Sequence, residues 1–286
     1  MGFLDGRVAL VTGGSRGLGR AICVAVAREG ARVIFTYARR DDEAEATVAL
    51  VKAAGGLATA HKVSVLDKVA TNALTKAIEA EHGGIDILIN NAGVGQVVPL
   101  ALMEEEDWDR MMTINVKGAF LTSQAVLRTM VRQKRGRILN ISSLAGIKMM
   151  QAPVHYSAAK AALKGFTEAL AKEIGRYGIT VNCLAPAART AMTEGAMPDM
   201  VKKPETGFDV WDPLNVASIV VWLGSPLSAH VSGRCFEAKG GEISVADGWH
   251  TGKIHDKGAR WDPAELGAVV DALIEQGRPP QKVYGT

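Results

Sequence analysis

The sequence predicts an α/β fold: a doubly wound parallel sheet with helices on both faces. Three observations carry this. Short aliphatic and β-branched runs alternate with longer stretches of helical periodicity up to residue 184. The short runs are continuously apolar, as strands covered on both faces should be. A glycine-rich turn joins the first run to the first helical stretch.

The predicted strands are residues 7–12 (RVALVT), 32–37 (RVIFTY), 58–63, 86–90 (DILIN), 137–142 (RILNIS) and 180–184 (TVNCL). The predicted helices are 17–29, 41–54, 67–82, 107–133 and 154–177. Residues 186–212 break the pattern. Pro186, Pro198 and Pro204 interrupt them, and Met192, Met197, Met200, Phe208 and Trp211 make them apolar. A helix over about 213–224 and a strand over about 234–238 follow, and the chain from Lys239 reads as a tail. One helix is expected in that tail, over about 263–276. Asp262 is its N-cap, Pro263 stands in the first turn and Glu265 lies three residues after the cap. Leu266, Val269, Val270 and Leu273 form its apolar stripe.

The chain has 286 residues, 48% hydrophobic and 22% charged, enough for one large α/β core. Its 33 basic and 30 acidic residues leave a net charge of +3, which argues against nucleic acid or a membrane surface as partner. Cys23, Cys183 and Cys235 form no CxxC pair and an odd number of thiols, so reduced cysteines in a cytoplasmic protein are expected. No run reaches the length of a membrane span, and the N-terminus has no charged leader ahead of an apolar core.

The turn TGGSRGLG at 12–19 follows the first strand and opens the first helix. Turns without Cβ atoms let a backbone approach a pyrophosphate, and a helix start offers free N–H groups and a positive dipole end. The spacing Gly13, Gly17, Gly19 is not GxGxxG, and the same glycines would serve a plain strand–helix turn. Sites that hold the ribose of NAD place an acid at the end of the second strand. Here that region reads Phe35-Thr-Tyr37-Ala-Arg39-Arg40, with Arg16 in the loop and no acid before Asp41. Guanidinium groups suit a 2′-phosphate, which favours NADP over NAD; a solvated arginine pair at a helix start is the alternative.

Tyr156 and Lys160 lie four apart, on one face of a helix. A phenol titrates near pH 10, and an ammonium beside it should lower that value. Ser143 lies 13 residues earlier, at the end of the fifth strand, where a parallel sheet opens its ligand crevice. Side chains alternate along a strand, so only one of Ser142 and Ser143 should reach in. Asn115 interrupts an apolar helix in MMTINVKGAF.

Taken together, TGGSRGLG at 12–19, NNAG at 90–93, Asn115, Ser143 and Tyr156-Ser-Ala-Ala-Lys160 make the chain resemble the short-chain dehydrogenase/reductase family over residues 5–245. The resemblance implies a Rossmann-type fold and an NADP-dependent oxidoreductase that interconverts a ketone and a secondary alcohol. It makes Tyr156 the proton donor, Ser143 the hydroxyl on the substrate oxygen and Lys160 the group that tunes Tyr156 and holds a ribose. Asn115 then shapes its helix and helps hold a water toward Lys160. It assigns the dinucleotide to Gly13, Ser15, Arg16, Gly17, Leu18, Gly19, Tyr37, Arg39, Arg40, Ser64, Val65, Asn91, Ala92, Gly93, Tyr156, Lys160, Pro186, Ala187 and Thr190. It also implies a homo-oligomer, tetramer or dimer, formed through the helices at 107–133 and 154–177.

The chain departs from that family in three places. Ser64 stands where Asp is usual, Pro186-Ala187 replaces Pro-Gly, and about 45 residues follow Gly240-Gly241. The expected organisation is a domain over 1–245, with a substrate loop at 186–212, and an extension over 246–286. The central part resembles 3-oxoacyl-carrier-protein reductases, and the C-terminal part 3-hydroxyacyl-CoA and hydroxysteroid dehydrogenases. A 3-oxoacyl or 3-hydroxyacyl thioester is therefore the expected substrate, with a steroid as the alternative and a non-catalytic dinucleotide sensor as the distant one. His155 reads as a bystander, because its side chain leaves the helix in another direction from Tyr156. His250, His255 and Asp256 match no metal-ligand spacing.

Overall fold

The computed structural model describes residues 2–148, 153–246 and 253–277. The chain divides into two compact units, Met1–Ile147 with Ala152–Ala246, and Lys148–Gln151 with Asp247–Thr286. The larger unit opens with β1 (Val8–Thr12), α1 (Gly17–Arg28), β2 (Arg32–Tyr37), α2 (Asp41–Ala53), β3 (Leu57–Lys62), α3 (Lys68–His82) and β4 (Ile87–Asn90). Then come α4 (Glu105–Met112), α5 (Gly118–Gln133), β5 (Gly136–Ile141), α6 (Val154–Ile174), β6 (Ile179–Ala187), α7 (Ala191–Ala196), α8 (Pro213–Gly224), β7 (Cys235–Lys239) and β8 (Glu242–Ala246).

The eight strands form one sheet in the order β3-β2-β1-β4-β5-β6-β7-β8. All pairs are parallel except β7 with β8. The order reverses between β1 and β4, and that switch point is where open α/β sheets bind ligands, beyond the carboxyl ends of their strands. Alternate strand residues feed two separate cores. Ala9, Val11, Val33, Phe35, Ile87 and Ile89 pack with α1 and α8. Val8, Leu10, Ile34, Leu88 and Ile138 pack with α3, α5 and α6. Covering both faces is what makes these strands continuously apolar.

Four sequence expectations needed correction. β3 alternates between exposed and half-buried positions, because it is the sheet edge rather than an inner strand. The helix expected over 107–133 is α4 and α5 joined by a π-helical turn, Thr113–Lys117. The cause is Asn115, whose Nδ2 donates to the Met111 carbonyl four residues back at 3.0 Å. β6 runs on to Ala187, since Pro186 and Ala187 pair with Ala238 and Lys239 of β7. Residues 186–212 include α7, and the supposed tail begins with β8. Proline and glycine signals report chain breaks, but not an edge strand recruited by its neighbour.

In the smaller unit, a 3₁₀ turn at Pro263–Glu265 leads into α9 (Leu266–Glu275). Asp262 N donates to Glu265 Oε2 at 3.1 Å, and Glu265 N to Asp262 O at 3.0 Å, so the acid three residues on reaches back as its spacing suggested. Lys257 Nζ stands 5.0 Å from the Trp261 ring centroid. Among the described residues no cluster of side chains suits a metal ion; His250 lies outside them. None of the described helices is long and apolar enough to cross a membrane.

Candidate active site

The glycine turn is held by the loop after β4. Thr12 Oγ1 accepts from Asn91 N and Ala92 N, both at 3.0 Å. Asn91 Nδ2 donates to the Thr12 and Gly13 carbonyls, each at 3.0 Å. Gly13 and Gly17 take φ of +69° and +52°, where a side chain is strained. A Cβ on Gly19 would lie 2.1 Å from Gly13 O and 2.5 Å from Asn91 Nδ2, so this glycine admits the turn itself. Arg16, the N-cap of α1, supplies no side-chain cap. The first-turn N–H groups of Gly17, Leu18 and Gly19 are thus left facing the crevice end of the sheet, with the positive end of the helix dipole behind them. Ser15 is buried beneath them, its carbonyl accepting from Arg20 and Thr47.

The cationic residues at the end of β2 surround two carboxylates, Asp41, the first acid after that strand, and Glu43, which the sequence expectation left out. Arg40 Nη1 donates to Glu43 Oε1 at 3.2 Å, and Arg16 Nε lies 3.8 Å from Glu43 Oε2. Tyr37 Oη donates to Asp41 Oδ1 at 2.9 Å, and Lys62 Nζ to Asp41 Oδ2 at 2.8 Å. Arg39 is exposed. The acidic first turn of α2, Asp41-Asp42-Glu43, was the available signal. Just beyond the next strand, β3, Ser64 Oγ accepts from Leu66 N at 3.3 Å, and Val65 packs where a Cβ on Gly118 would fall.

β5 and α6 bring the reactive side chains together. Ser142 faces the core and its Oγ donates to the Lys160 carbonyl at 2.7 Å, while half-buried Ser143 caps the 3₁₀ turn that follows, accepting from Ala145 N at 3.2 Å. The two neighbouring side chains thus turn to different sides of the extended chain. Lys160 is 5% exposed; its Nζ donates to the Ile141 carbonyl at 3.0 Å and lies 5.7 Å from the Tyr156 ring centroid. Buried Asn115 Nδ2 donates to the Val94 carbonyl at 3.0 Å, and its Oδ1 has no partner. A Cβ on Gly93 would stand 2.6 Å from that Oδ1 and 3.3 Å from Lys160 Nζ. His155 is fully buried, and neither ring nitrogen has a partner among the described residues.

The electrostatics reverse one expectation. Burial pushes the Tyr156 phenol above its ordinary value, and the Ser143 hydroxyl beside it pulls the other way. Lys160 does not offset the rise. Burial instead pushes Lys160 down, to about 8. Two buried groups each lose hydration, and a loss of that kind outweighs a cation lying on the ring side of the phenol.

Pro186 and Ala187 end β6, and Thr190 follows as the N-cap of α7. Its Oγ1 accepts from Thr193 N at 3.3 Å, and its methyl lies 3.5 Å from a Cβ placed on Gly17. The three cysteines are free and buried.

The short chain dehydrogenase family model matches residues 7–200. The 3-oxoacyl-[acyl-carrier-protein] reductase of Synechocystis sp. is 38% identical over 85% of this chain and 99% of its own length. The hydroxyacyl-CoA dehydrogenase ChsB1 of Mycobacterium tuberculosis is 34% identical over 98% of this chain and 92% of its own. A short chain dehydrogenase from Mycobacterium avium superposes with TM-score 0.88 at 40% identity, covering 100% of both chains. One from Mycobacterium paratuberculosis, bound to NAD, gives 0.75 at 32% identity over 84% of this chain and 98% of that one. The match across the sheet, the crevice and the Tyr–Lys helix places the chain in the short-chain dehydrogenase/reductase family, oxidoreductases that act on CH–OH groups.

Proposed function

We propose that the chain interconverts the ketone and the secondary alcohol of a 3-oxoacyl/3-hydroxyacyl thioester, with NADP as its dinucleotide. The observation that carries the reading is the gathering of Ser143, Tyr156 and Lys160 at the carboxyl end of β5, beside the switch point of the sheet. The residues fit a dinucleotide. The uncapped start of α1, with Gly17, Leu18 and Gly19, suits a pyrophosphate, and Gly13 and Ser15 shape that turn. Arg16, Arg39 and Arg40 would hold a 2′-phosphate, Tyr37, Ser64 and Val65 would flank the adenosine, and Asn91, Ala92 and Gly93 would line the crevice floor. Pro186, Ala187 and Thr190 would border the nicotinamide. When bound, the dinucleotide supplies or accepts the hydride.

The remaining chemistry belongs to the chain. In the reductive direction Tyr156 gives its phenolic proton to the substrate oxygen, and in the oxidative direction it takes that proton back. Ser143 donates a hydrogen bond to the same oxygen and stabilises the charge that develops there. Lys160, protonated at neutral pH with its value near 8, keeps a cation beside the phenol as that proton leaves. Asn115 Oδ1, buried and without a partner among the described residues, faces Lys160 across Gly93 and can hold a water there that carries a proton in from solvent during reduction and out during oxidation.

Two features support the thioester. Both curated relatives are named for 3-oxoacyl or hydroxyacyl substrates. The one spanning 98% of this chain is named a hydroxyacyl-CoA dehydrogenase, which favours CoA over a carrier protein as the thiol. Exposed apolar side chains also follow β4 and β6, Val97 and Leu100 before α4 and Met192 and Phe208 before α8, and they suit an acyl chain. Exposed small positions on α6, Ala161 and Gly165, support a homo-oligomer built through that helix.

NADPH consumption with a short 3-oxoacyl-CoA, measured on the natural chain and on Tyr156→Phe, tests the reading. The expected result is turnover that drops by about 10²–10⁴-fold in the variant while NADPH binding persists. Turnover of a 3-oxosteroid but not of the thioester would replace the substrate assignment. Tight NADPH binding without turnover of either would overturn it.

A further inference from the structure

Residues 191–210 are a poorly anchored stretch: Val201 alone is buried among them. Apolar packing cannot hold so exposed a segment in one place. Apart from Thr193, whose Oγ1 donates to the Ala188 carbonyl at 2.9 Å, the polar contacts that tie it down meet at one guanidinium. Arg189 Nη1 donates to the Val201 carbonyl at 3.0 Å and to Asp209 Oδ1 at 3.3 Å, and Nη2 donates to Asp209 Oδ2. Both side chains are largely shielded, at 16% and 14% exposure. Asp209 is tied further. Its Oδ1 accepts from Trp211 N at 3.1 Å, and its carbonyl accepts from Asn215 Nδ2 of α8 at 2.8 Å. Arg189 N donates to the Trp211 carbonyl at 2.7 Å. One ion pair therefore joins the start, the middle and the end of the segment.

What the segment carries makes this pair matter. Thr190, next to Arg189, lies against Gly17 of the glycine turn, and Met192 Sδ lies 2.7 Å from the position of a Cβ on Gly95, in the loop after β4. One contact meets the turn after β1 and the other the loop after β4, the two strands at the switch point. We propose that Arg189 and Asp209 form a latch that holds residues 190–212 as a flap over the substrate side of the crevice. Arg189 is then a positioning residue for Thr190 and Met192. The substrate side rests on the functional reading above; the latch itself rests on the contacts just given. The bidentate fork is needed because it fixes orientation as well as distance, which a lysine at the same place would not do.

Asp209→Asn and Arg189→Lys, alone and combined, test the latch in two ways that do not depend on each other. Trypsin cleavage after the exposed Lys202 (Lys203 precedes Pro204 and is not cut) reports flap opening with no substrate present. KM and kcat for the 3-oxoacyl-CoA report its effect on the site. The latch predicts cleavage faster by about tenfold in each single variant, a KM raised by a similar factor, kcat within about twofold, an unchanged thermal midpoint, and a double variant no worse than either single one. Unchanged cleavage would overturn it, and so would a parallel fall of kcat, KM and thermal midpoint that marks a general loss of fold. If the natural chain fails to turn over the thioester, the substrate reading falls, and the cleavage rates alone still decide the latch.

Discussion

Asn115 and Lys160 approach each other across a glycine: a Cβ on Gly93 would stand 2.6 Å from Asn115 Oδ1 and 3.3 Å from Lys160 Nζ. Gly93 has ordinary backbone geometry, so what it provides is space rather than a rare conformation. Gly93→Ala should therefore act by crowding, at a stability cost of about 1–3 kcal/mol. Its kcat should fall at least about tenfold, more than its affinity for the dinucleotide changes, because the crowded atoms serve the proton path. Steady-state kinetics beside a urea melt checks this; an unchanged kcat would remove the gap between Asn115 and Lys160 from the mechanism.

Lys160 makes a signed prediction about pH. Its folded value lies near 8, below the unfolded value of about 10.4. Between those limits the unfolded chain binds the extra proton, so this group's contribution to stability rises with pH. Below pH 8 the buried ammonium costs on the order of 3 kcal/mol, and the cost disappears by about pH 10.4. Lys160→Met should be the more stable protein at pH 7, with the difference shrinking as pH is raised to 10. Urea midpoints across that range are the measurement, and a difference that grows with pH would contradict the assignment.

Thr12 holds the glycine turn through one hydroxyl that accepts from two backbone N–H groups. Thr12→Val keeps the shape and strands both donors. The expected loss is about 1–3 kcal/mol, with weaker dinucleotide binding by titration. A variant as stable as the natural chain would mean that the turn is held by Asn91 alone.

Glu43 competes for the cations proposed to bind a 2′-phosphate, since Arg16 and Arg40 both lie beside it. Glu43→Gln should lower the KM for NADPH by up to about fivefold and leave that for NADH unchanged, the scale of an exposed ion pair. An equal change for both coenzymes would show that these arginines do not read the 2′ position.

Much of the site was legible in the sequence because its signals are local. Tyr156 and Lys160 share a helix face at a spacing of four, and Ser142 and Ser143 are told apart by strand alternation. The glycines at 13, 17 and 19 mark the turn from the first strand into the first helix. Local geometry could not show Arg16 beside Glu43, nor the Val94 carbonyl that Asn115 Nδ2 takes from the loop after β4. Each depends on what another segment places nearby.

By itself, then, the sequence determined the alternation of strand and helix, the two-faced sheet and the residues that meet at its carboxyl end, because periodicity and turn chemistry act over a few residues. Only the tertiary structure decided which strands became edges, why β6 runs on to Ala187, and that residues 190–212 form a latched segment. It also decided that burial would raise Tyr156 and lower Lys160 together. Desolvation and long-range pairing are properties of the packed chain, and no local pattern encodes them.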